Sequence, residues 1–232
     1  MKIKKLHSDN EKMVFLVDGI DYSFANGLRR IFMNMVPTLA IEYVDFIEND
    51  SVINDEVLAH RLGLIPLTFE KNLLVMREDC SCKGKGCSNC MVELRIKKEG
   101  PCTVYSRDLI SSESSVKPLY DNIIICRLAS GMKLELIAYA FLGIGEESPK
   151  WQASLATYVN VVKEQKGKTK KCWTQDYGIY CVECFEDLKD IEVEKDKFLF
   201  YVESVSGLTT ERVVEEGLEF AKKYLGKVKK VL

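Results

Sequence analysis

The chain has 232 residues, of which 47% are hydrophobic and 29% are charged, with a formal net charge of −2. This composition is typical of a globular chain that buries a sizeable core, and it excludes extensive disorder. Because affinity for nucleic acid comes mostly from neutralising phosphates, a nearly neutral chain is not expected to bind DNA or RNA on its own.

The N-terminal segment predicts two strands followed by an amphipathic helix. The strands are Ile3–Leu6 and Met13–Val17. Ser23 is the predicted N-cap of the helix, and Pro37 ends it. The apolar face of this helix consists of Phe24, Leu28, Ile31, Phe32 and Met35, and the opposite face carries Arg29, Arg30 and Asn34.

The middle of the chain, residues 38–162, predicts a series of strands. Apolar and polar residues alternate in three segments, which contain Val44, Leu94 and Leu136, and glycine and proline separate them. A lysine-rich segment at 164–171 then predicts an exposed loop, and Phe198–Val205 predicts a further strand.

The chain ends in a second amphipathic helix, which begins near Thr209. Its apolar stripe consists of Val214, Gly217, Leu218, Ala221, Leu225, Val228 and Leu232. Two interpretations stay open, because a stripe of this length either packs on the chain's own sheet, which the pattern favours, or is covered by a partner chain.

Cysteine usage predicts an intracellular, reducing compartment. The chain has nine cysteines, an odd number, and its N-terminus lacks the apolar core of a signal peptide. In such a compartment thiols serve as metal ligands or small buried hydrophobes rather than in disulfides. No apolar stretch reaches the ~20 residues that a membrane-spanning helix needs, so a soluble protein without membrane contact is expected.

No catalytic constellation is evident in the sequence. The only histidines are His7 and His60, and no P-loop, Gly-x-Ser-x-Gly motif or dinucleotide fingerprint is present. We therefore expect no active site.

One cysteine cluster predicts a metal site. Cys80, Cys82, Cys87 and Cys90 place four thiols within eleven residues, with two glycines between the pairs. Glycine permits the positive φ that tight ligand loops need, and four protein ligands leave no open position on the ion. The pattern favours one structural Zn²⁺ ion.

Two alternatives for the cysteines stay open. The spacing of Cys82, Cys87 and Cys90 also matches the plant-type iron–sulfur pattern, whose fourth ligand is remote, and we consider this less favoured than zinc. Cys172, Cys181 and Cys184 form a second, poorer group that we interpret as reduced thiols. Cys102 and Cys126 lie in apolar segments and are expected to be buried.

Several longer motifs occur along the chain. They read NGLRRI at 26–31 with VPTLAI at 36–41, LAHRLGLIPL at 58–67, REDC at 77–80 running into the cysteine cluster, VYSRDL at 104–109, PKW at 149–151 and FYVESV at 200–205. Together they resemble the α-type assembly subunits of multisubunit RNA polymerases. The cysteine segment is similar to the zinc-binding insert of the third-largest subunit of eukaryotic RNA polymerase II.

This resemblance implies an α+β fold. In the family, a discontinuous dimerisation domain of two helices and a β-sheet, here 1–47 and 165–232, holds an inserted β-rich domain, here 48–164, that carries a zinc knuckle. The resemblance also implies a non-catalytic scaffold subunit. It pairs with a smaller α-type subunit, then with two small zinc-binding subunits, and recruits the second-largest subunit.

The resemblance assigns roles to the two helices. The partner interface would consist of Phe24, Leu28, Ile31, Phe32, Met35, Val214, Leu218, Ala221, Leu225 and Val228. Arg29 and Arg30 would contact a large subunit, since arginine suits interface contacts. The implied location is the nucleus, with the archaeal cytoplasm as the alternative.

This chain departs from the family pattern at the knuckle. Lys83–Gly86 forms a four-residue spacer between the cysteine pairs, one residue longer than usual in the family. A protein of a different class, a stand-alone iron–sulfur or zinc redox protein, remains the alternative to the scaffold subunit.

Overall fold

The computed structural model describes residues 1–163, 173–185 and 191–231, and it divides the chain into two compact units. Unit 1 comprises Met1–Val36, Ser154–Ser204 and Thr209–Leu232, and unit 2 comprises Pro37–Ala153 and Val205–Leu208. Both ends of the chain therefore belong to one discontinuous unit. The mixed α+β class is confirmed.

The described elements comprise twelve strands and three α-helices. In chain order they are β1 (Lys2–Ser8), β2 (Lys12–Asp18), α1 (Tyr22–Asn34), β3 (Thr38–Asn49), α2 (Asp55–Gly63), β4 (Leu67–Thr68), β5 (Met91–Glu99), β6 (Cys102–Tyr105), β7 (Ile110–Ser111), β8 (Lys117–Pro118), β9 (Ile124–Leu128), β10 (Lys133–Gly143), β11 (Ser154–Val162), β12 (Val193–Ser204) and α3 (Thr210–Val231). None of the described helices is long and apolar enough to cross a membrane.

In unit 1, α1 and α3 pack on one antiparallel sheet. The strand order is β1-β2-β12-β11, and the helices contact each other as well as the sheet. Phe15 and Phe200 stack with ring centroids 5.3 Å apart, and the fully buried Phe32 of α1 packs edge-on against both rings. An aromatic layer of this kind removes a large apolar area from water and so stabilises the packing of α1 on the sheet.

The N-terminus of α1 differs from the prediction. Asp21, not Ser23, is the N-cap: its backbone is extended, and its Oδ1 accepts a hydrogen bond from the backbone N–H of Phe24 at 2.7 Å. Ser23 lies within the first turn. Both residue types are good caps. Tyr22, the first residue of the helix, packs edge-on against Phe198 of the sheet.

In unit 1, Gly217 of α3 lies so close to Phe32 of α1 that a substitution of this glycine tests the packing of the two helices. A Cβ on Gly217 of α3 would lie 2.6 Å from Cδ1 of Phe32, whose side chain is fully buried. Gly217→Ala should lower the free energy of unfolding, because overpacking costs about 1–3 kcal/mol and outweighs the ~1 kcal/mol that alanine gains in a helix.

Gly226→Ala is the matched control in the same helix. Nothing lies within 4 Å of the added Cβ there, so the substitution should stabilise the chain by about 0.5–1 kcal/mol. Urea unfolding of both variants measures the difference. Equal effects at the two positions would contradict the packing of α3 on Phe32.

Unit 2 is built from antiparallel strands. Its largest sheet has the order β3-β10-β5-β7, and β4–β8 and β6–β9 form two smaller pairs. The helix α2 was not predicted. Its buried side chains are Leu58 and Leu62, a single i, i+4 pair, and the apolar run that follows them resembles a strand in sequence.

The boundaries between the units also differ from the expected ones. They fall after residues 36 and 153, whereas the sequence placed them after residues 47 and 164. The reason is strand pairing: β3 is hydrogen-bonded to β10 from Thr38 to Asn49, so a boundary at 47 would cut through a continuous ladder. The predicted loop at 164–171 lies outside the described residues.

Candidate metal centre

The four clustered cysteines lie on the connection between β4 and β5. Cys90 directly precedes β5, and the backbone N–H of Val75 donates to the carbonyl of Asn89 at 2.9 Å, which closes the base of the loop. Two turns follow from local hydrogen bonds, since Lys83 N–H donates to the Cys80 carbonyl and Cys90 N–H donates to the Cys87 carbonyl. Each turn aims one pair of thiols inward.

Positive φ angles make the path between the cysteine pairs possible. Within the four-residue spacer, Lys83 has φ +55°, Gly84 +79° and Gly86 +92°. The two glycines adopt this left-handed region without steric cost. They explain why the sequence has glycine at these positions of the spacer.

The sulfur positions fit one four-coordinate ion. Cys80 Sγ lies 3.5 Å from Cys87 Sγ, Cys82 Sγ lies 3.6 Å from Cys90 Sγ, and all four sulfurs lie within 4.8 Å of one another. A tetrahedral ion with Zn–S bonds of ~2.3 Å holds its sulfurs about 3.8 Å apart. All four thiols are free, so no disulfide competes for them.

The four thiols do not share one pKa. Burial raises the pKa of Cys90 to about 12. Burial acts in the same direction on Cys82, but hydrogen bonds from the neighbouring thiols and from the backbone of Gly86 outweigh it and lower its pKa to about 6. A cation bound between the sulfurs would also stabilise the thiolate of Cys90, which burial alone disfavours.

Among the described residues, the remaining cysteines do not form a second centre. In the described part of the chain, the four-cysteine cluster is the one group of three or more potential ligands close enough to share an ion. Cys181 and Cys126 are buried free thiols, as expected for small hydrophobes, and Cys102 is half-buried. Cys184 is disulfide-bonded, so its interpretation as a reduced thiol is wrong, and Cys172 lies outside the described residues.

The structure separates the residues assigned to the partner interface into three groups. Leu28, Phe32, Val214 and Ala221 are buried, Ile31, Met35 and Leu218 are half-buried, and Phe24 and Leu225 are exposed. The side chain of Val228 lies outside the described residues. The chain's own sheet and helices already cover the four buried residues, whereas the half-buried and exposed ones keep part or all of their side chains accessible.

The two arginines assigned to a large subunit lie on the outer side of α1. Arg30 is exposed, and Arg29 is half-buried. Nε and Nη2 of Arg29 donate to Oδ1 of Asn26 at 3.1 and 3.0 Å, which orients the guanidinium along the helix.

Sequence reasoning missed two residues next to the metal centre. Arg77 and Tyr43 are joined by a hydrogen bond, and Arg77 also contacts the spacer between the cysteine pairs. Arg77 belongs to the REDC motif that precedes Cys80, which is the one sequence signal that could have indicated it.

The chain is a two-unit α+β protein with a discontinuous first unit and a four-cysteine cluster that could hold a metal ion. Four protein ligands would leave no open position on such an ion, which is typical of structural rather than hydrolytic sites. Comparison with known proteins identifies the family. Residues 44–162 match the RNA polymerase Rpb3/RpoA insert domain, and the chain belongs to this family of RNA polymerase subunits.

Individual relatives come from archaea and from a eukaryote. The chain is 42% identical to the DNA-directed RNA polymerase subunit Rpo3 of Methanosphaera stadtmanae, over 83% of this chain and 72% of that relative. It is 45% identical to Rpo3 of Methanothermobacter thermautotrophicus over 67% of this chain, and the match spans 60% of that relative's length.

The eukaryotic relative is the DNA-directed RNA polymerase II subunit rpb3 of Dictyostelium discoideum. Identity is 32%, over 97% of this chain and 92% of that relative. These relatives are all named as polymerase subunits, so the alternative of a stand-alone redox protein is not supported.

Proposed function

We propose that this chain is a non-catalytic assembly subunit of a DNA-dependent RNA polymerase, which pairs with a smaller α-type subunit through α1 and α3. The observation that carries the proposal is the end of α3. Among the α3 side chains that the structure describes, which end at residue 226, Ala221 is the last buried one, and residues 222–226 are all exposed, including Tyr224 and Leu225. Large apolar side chains on an exposed helix end favour burial against another chain.

The half-buried residues of the two helices extend this surface. Ile31, Met35 and Leu218 each keep part of their side chain accessible, and Phe24 is exposed near the start of α1. We propose that a partner covers these residues, while the buried Leu28, Phe32, Val214 and Ala221 support them from below.

The remaining partners follow from the family resemblance. We infer that the pair binds two small zinc-binding subunits and the second-largest subunit, with Arg29 and Arg30 available to a large subunit. The exposed Arg30 and the half-buried Arg29 suit planar contacts with carboxylates. Direct sequence-specific contact with nucleic acid is not part of the proposal, in keeping with the net charge of −2.

We further infer that the four-cysteine cluster holds one structural Zn²⁺ ion. Because all four sulfurs lie within 4.8 Å of one another, the set suits a single ion better than an iron–sulfur cluster, whose sulfides and irons hold the outer thiolates farther apart. Four thiolates fill the coordination sphere, so the ion would stabilise the loop and supply no catalysis.

We infer the cellular location from where RNA polymerases work, and not from a targeting motif in the sequence. Relatives occur in archaea and in a eukaryote. We propose the compartment where the polymerase works, the nucleus in a eukaryote or the cytoplasm in an archaeon.

Co-expression with the smaller α-type subunit of the same polymerase tests the proposed function. We expect a stable one-to-one complex on size-exclusion chromatography with light scattering. A control co-expression with an unrelated soluble α+β protein of similar size should give no complex. If this chain elutes separately from the smaller subunit at micromolar concentrations, the proposed pairing is wrong.

A further inference from the structure

The two cysteine pairs of the metal centre are held in different ways. Cys87 and Cys90 run directly into β5, and the backbone N–H of Met91, the first residue of that strand, donates to the Cys87 carbonyl at 2.9 Å. Cys80 and Cys82 belong to no helix or strand. Cys87 and Cys90 are not themselves strand residues, but only their pair is attached directly to β5.

Arg77 connects the segment around the first pair to the sheet. Its Nε donates to the carbonyl oxygen of Gly84 at 2.8 Å, and Gly84 lies in the spacer between the two cysteine pairs. Its Nη1 donates to the hydroxyl of Tyr43 on β3 at 2.9 Å. One side chain thus holds the spacer with one nitrogen and the sheet with another.

Aromatic rings fix the direction of this guanidinium. Its central carbon lies 4.9 Å from the ring centroid of Phe141 on β10 and 5.4 Å from that of Tyr43. The two rings meet edge to face, with centroids 5.9 Å apart. Stacking on an aromatic face and donating in fixed directions are properties of arginine that lysine does not share.

The spacer also touches the sheet at a second point. A Cβ on Gly86 would lie 3.0 Å from Sδ of Met91 and 3.8 Å from the ring of Phe141. The spacer therefore lies closely over the same part of unit 2 that Arg77 contacts, and its conformation depends on both contacts.

We propose that Arg77 is a positioning residue for the metal centre: by joining the Gly84 carbonyl to Tyr43 and Phe141, it holds the Cys80–Cys82 arm where its sulfurs meet those of Cys87 and Cys90. This inference rests on the proposed metal site. An arm held in place before binding loses less conformational freedom when the ion binds, so affinity is higher. Neighbours of this kind typically contribute 10- to 100-fold to metal affinity.

Zinc affinity of the whole 232-residue chain, measured by competition with a chromophoric chelator, tests this inference. Arg77→Ala should weaken zinc binding about 10- to 100-fold. Arg77→Lys keeps the charge but loses the two-directional donors, so it should not restore wild-type affinity. Arg95→Ala is the matched control, because Arg95 lies on β5 and its Nη2 donates to Glu93 rather than to the knuckle.

A spectroscopic measurement separates positioning from a general effect on stability. Co²⁺ bound to four thiolates absorbs visible light with an intensity that depends on tetrahedral geometry. We expect Arg77→Ala at saturating Co²⁺ to show altered d–d bands, and Arg95→Ala to show the wild-type spectrum. Tyr43→Phe removes only the hydroxyl group that accepts from Arg77, and it should weaken zinc binding about two- to tenfold. If Arg77→Ala does not fold, this variant tests the positioning role in its place.

The outcomes distinguish this inference from the metal site itself. A wild-type chain that binds no zinc overturns both. If the wild type binds zinc and Arg77→Ala binds it with unchanged affinity, the positioning role alone is overturned. If Arg77→Ala does not fold, unchanged zinc affinity in Tyr43→Phe overturns the positioning role instead. Wild-type affinity in Arg77→Lys also overturns it, since charge alone would then suffice.

Discussion

Replacing Cys87 and Cys90 together by serine is expected to reduce the metal content of the purified chain from one ion to about none. Serine is not a zinc ligand at neutral pH, and two remaining thiols leave the ion half-coordinated. Binding of structural zinc contributes about 10–16 kcal/mol in small metal-folded peptides, and much of this appears as folding free energy. The connection between β4 and β5 has few buried side chains of its own, so it should lose its structure.

Two measurements check this result. Elemental analysis gives zinc per chain, and limited proteolysis reports cleavage between residues 70 and 90, which should become faster in the double variant. Cys102→Ser is the control, because Cys102 is half-buried, lies outside the cluster, and its thiol donates to the Glu99 carbonyl. Iron in place of zinc, or an undiminished metal content in the double variant, would contradict the proposed zinc centre.

Local patterns predicted the clustering of the four cysteines and the two terminal helices. The four thiols lie within eleven residues, so their spacing alone brings them together once the chain turns. The apolar stripes of α1 and α3 each repeat over several turns, and periodicity of that length distinguishes a helix from a strand. By contrast, α2 has one buried i, i+4 pair and left no comparable signal.

Contacts that depend on strand register could not be predicted. Arg77 and Tyr43 are 34 positions apart in sequence and meet because β3 pairs with β10, which places Tyr43 beside Phe141. Nothing in either local sequence specifies that register. The compact units depend on the same ladder, since a division at residue 47 would interrupt β3.

The periodicity of an apolar stripe also does not indicate whether the chain's own sheet or a partner chain covers it. The ten residues assigned to the partner interface include Phe32 and Ala221, which the chain buries itself, and Leu225, which it leaves exposed. Burial by the chain's own sheet and burial by a partner require the same residue types at the same spacing. The three-dimensional structure is needed to divide the stripe between them.

Because Leu225 is one of the stripe residues that the chain leaves exposed, its substitution should have a large effect on the affinity for the smaller α-type subunit. Leu225→Asp should weaken the pairing by at least about thirtyfold, because buried interface anchors contribute 2 kcal/mol or more and a carboxylate without a partner costs further desolvation. Leu225 is 53% exposed in this chain, so the free energy of unfolding of the chain alone should change little.

Two variants in the same helix make this test specific. Lys223→Asp places the same carboxylate on the opposite, exposed side of α3 and should leave pairing intact. Ala221→Asp buries a charge in the chain's own core and should lower the stability of the chain itself, because this position is 8% exposed. Isothermal titration with the smaller subunit and urea unfolding of the chain alone separate these effects. Unchanged affinity in Leu225→Asp would show that the partner does not cover the end of α3. An equal loss of affinity in Leu225→Asp and Lys223→Asp would point to charge, rather than to lost apolar burial, as the cause.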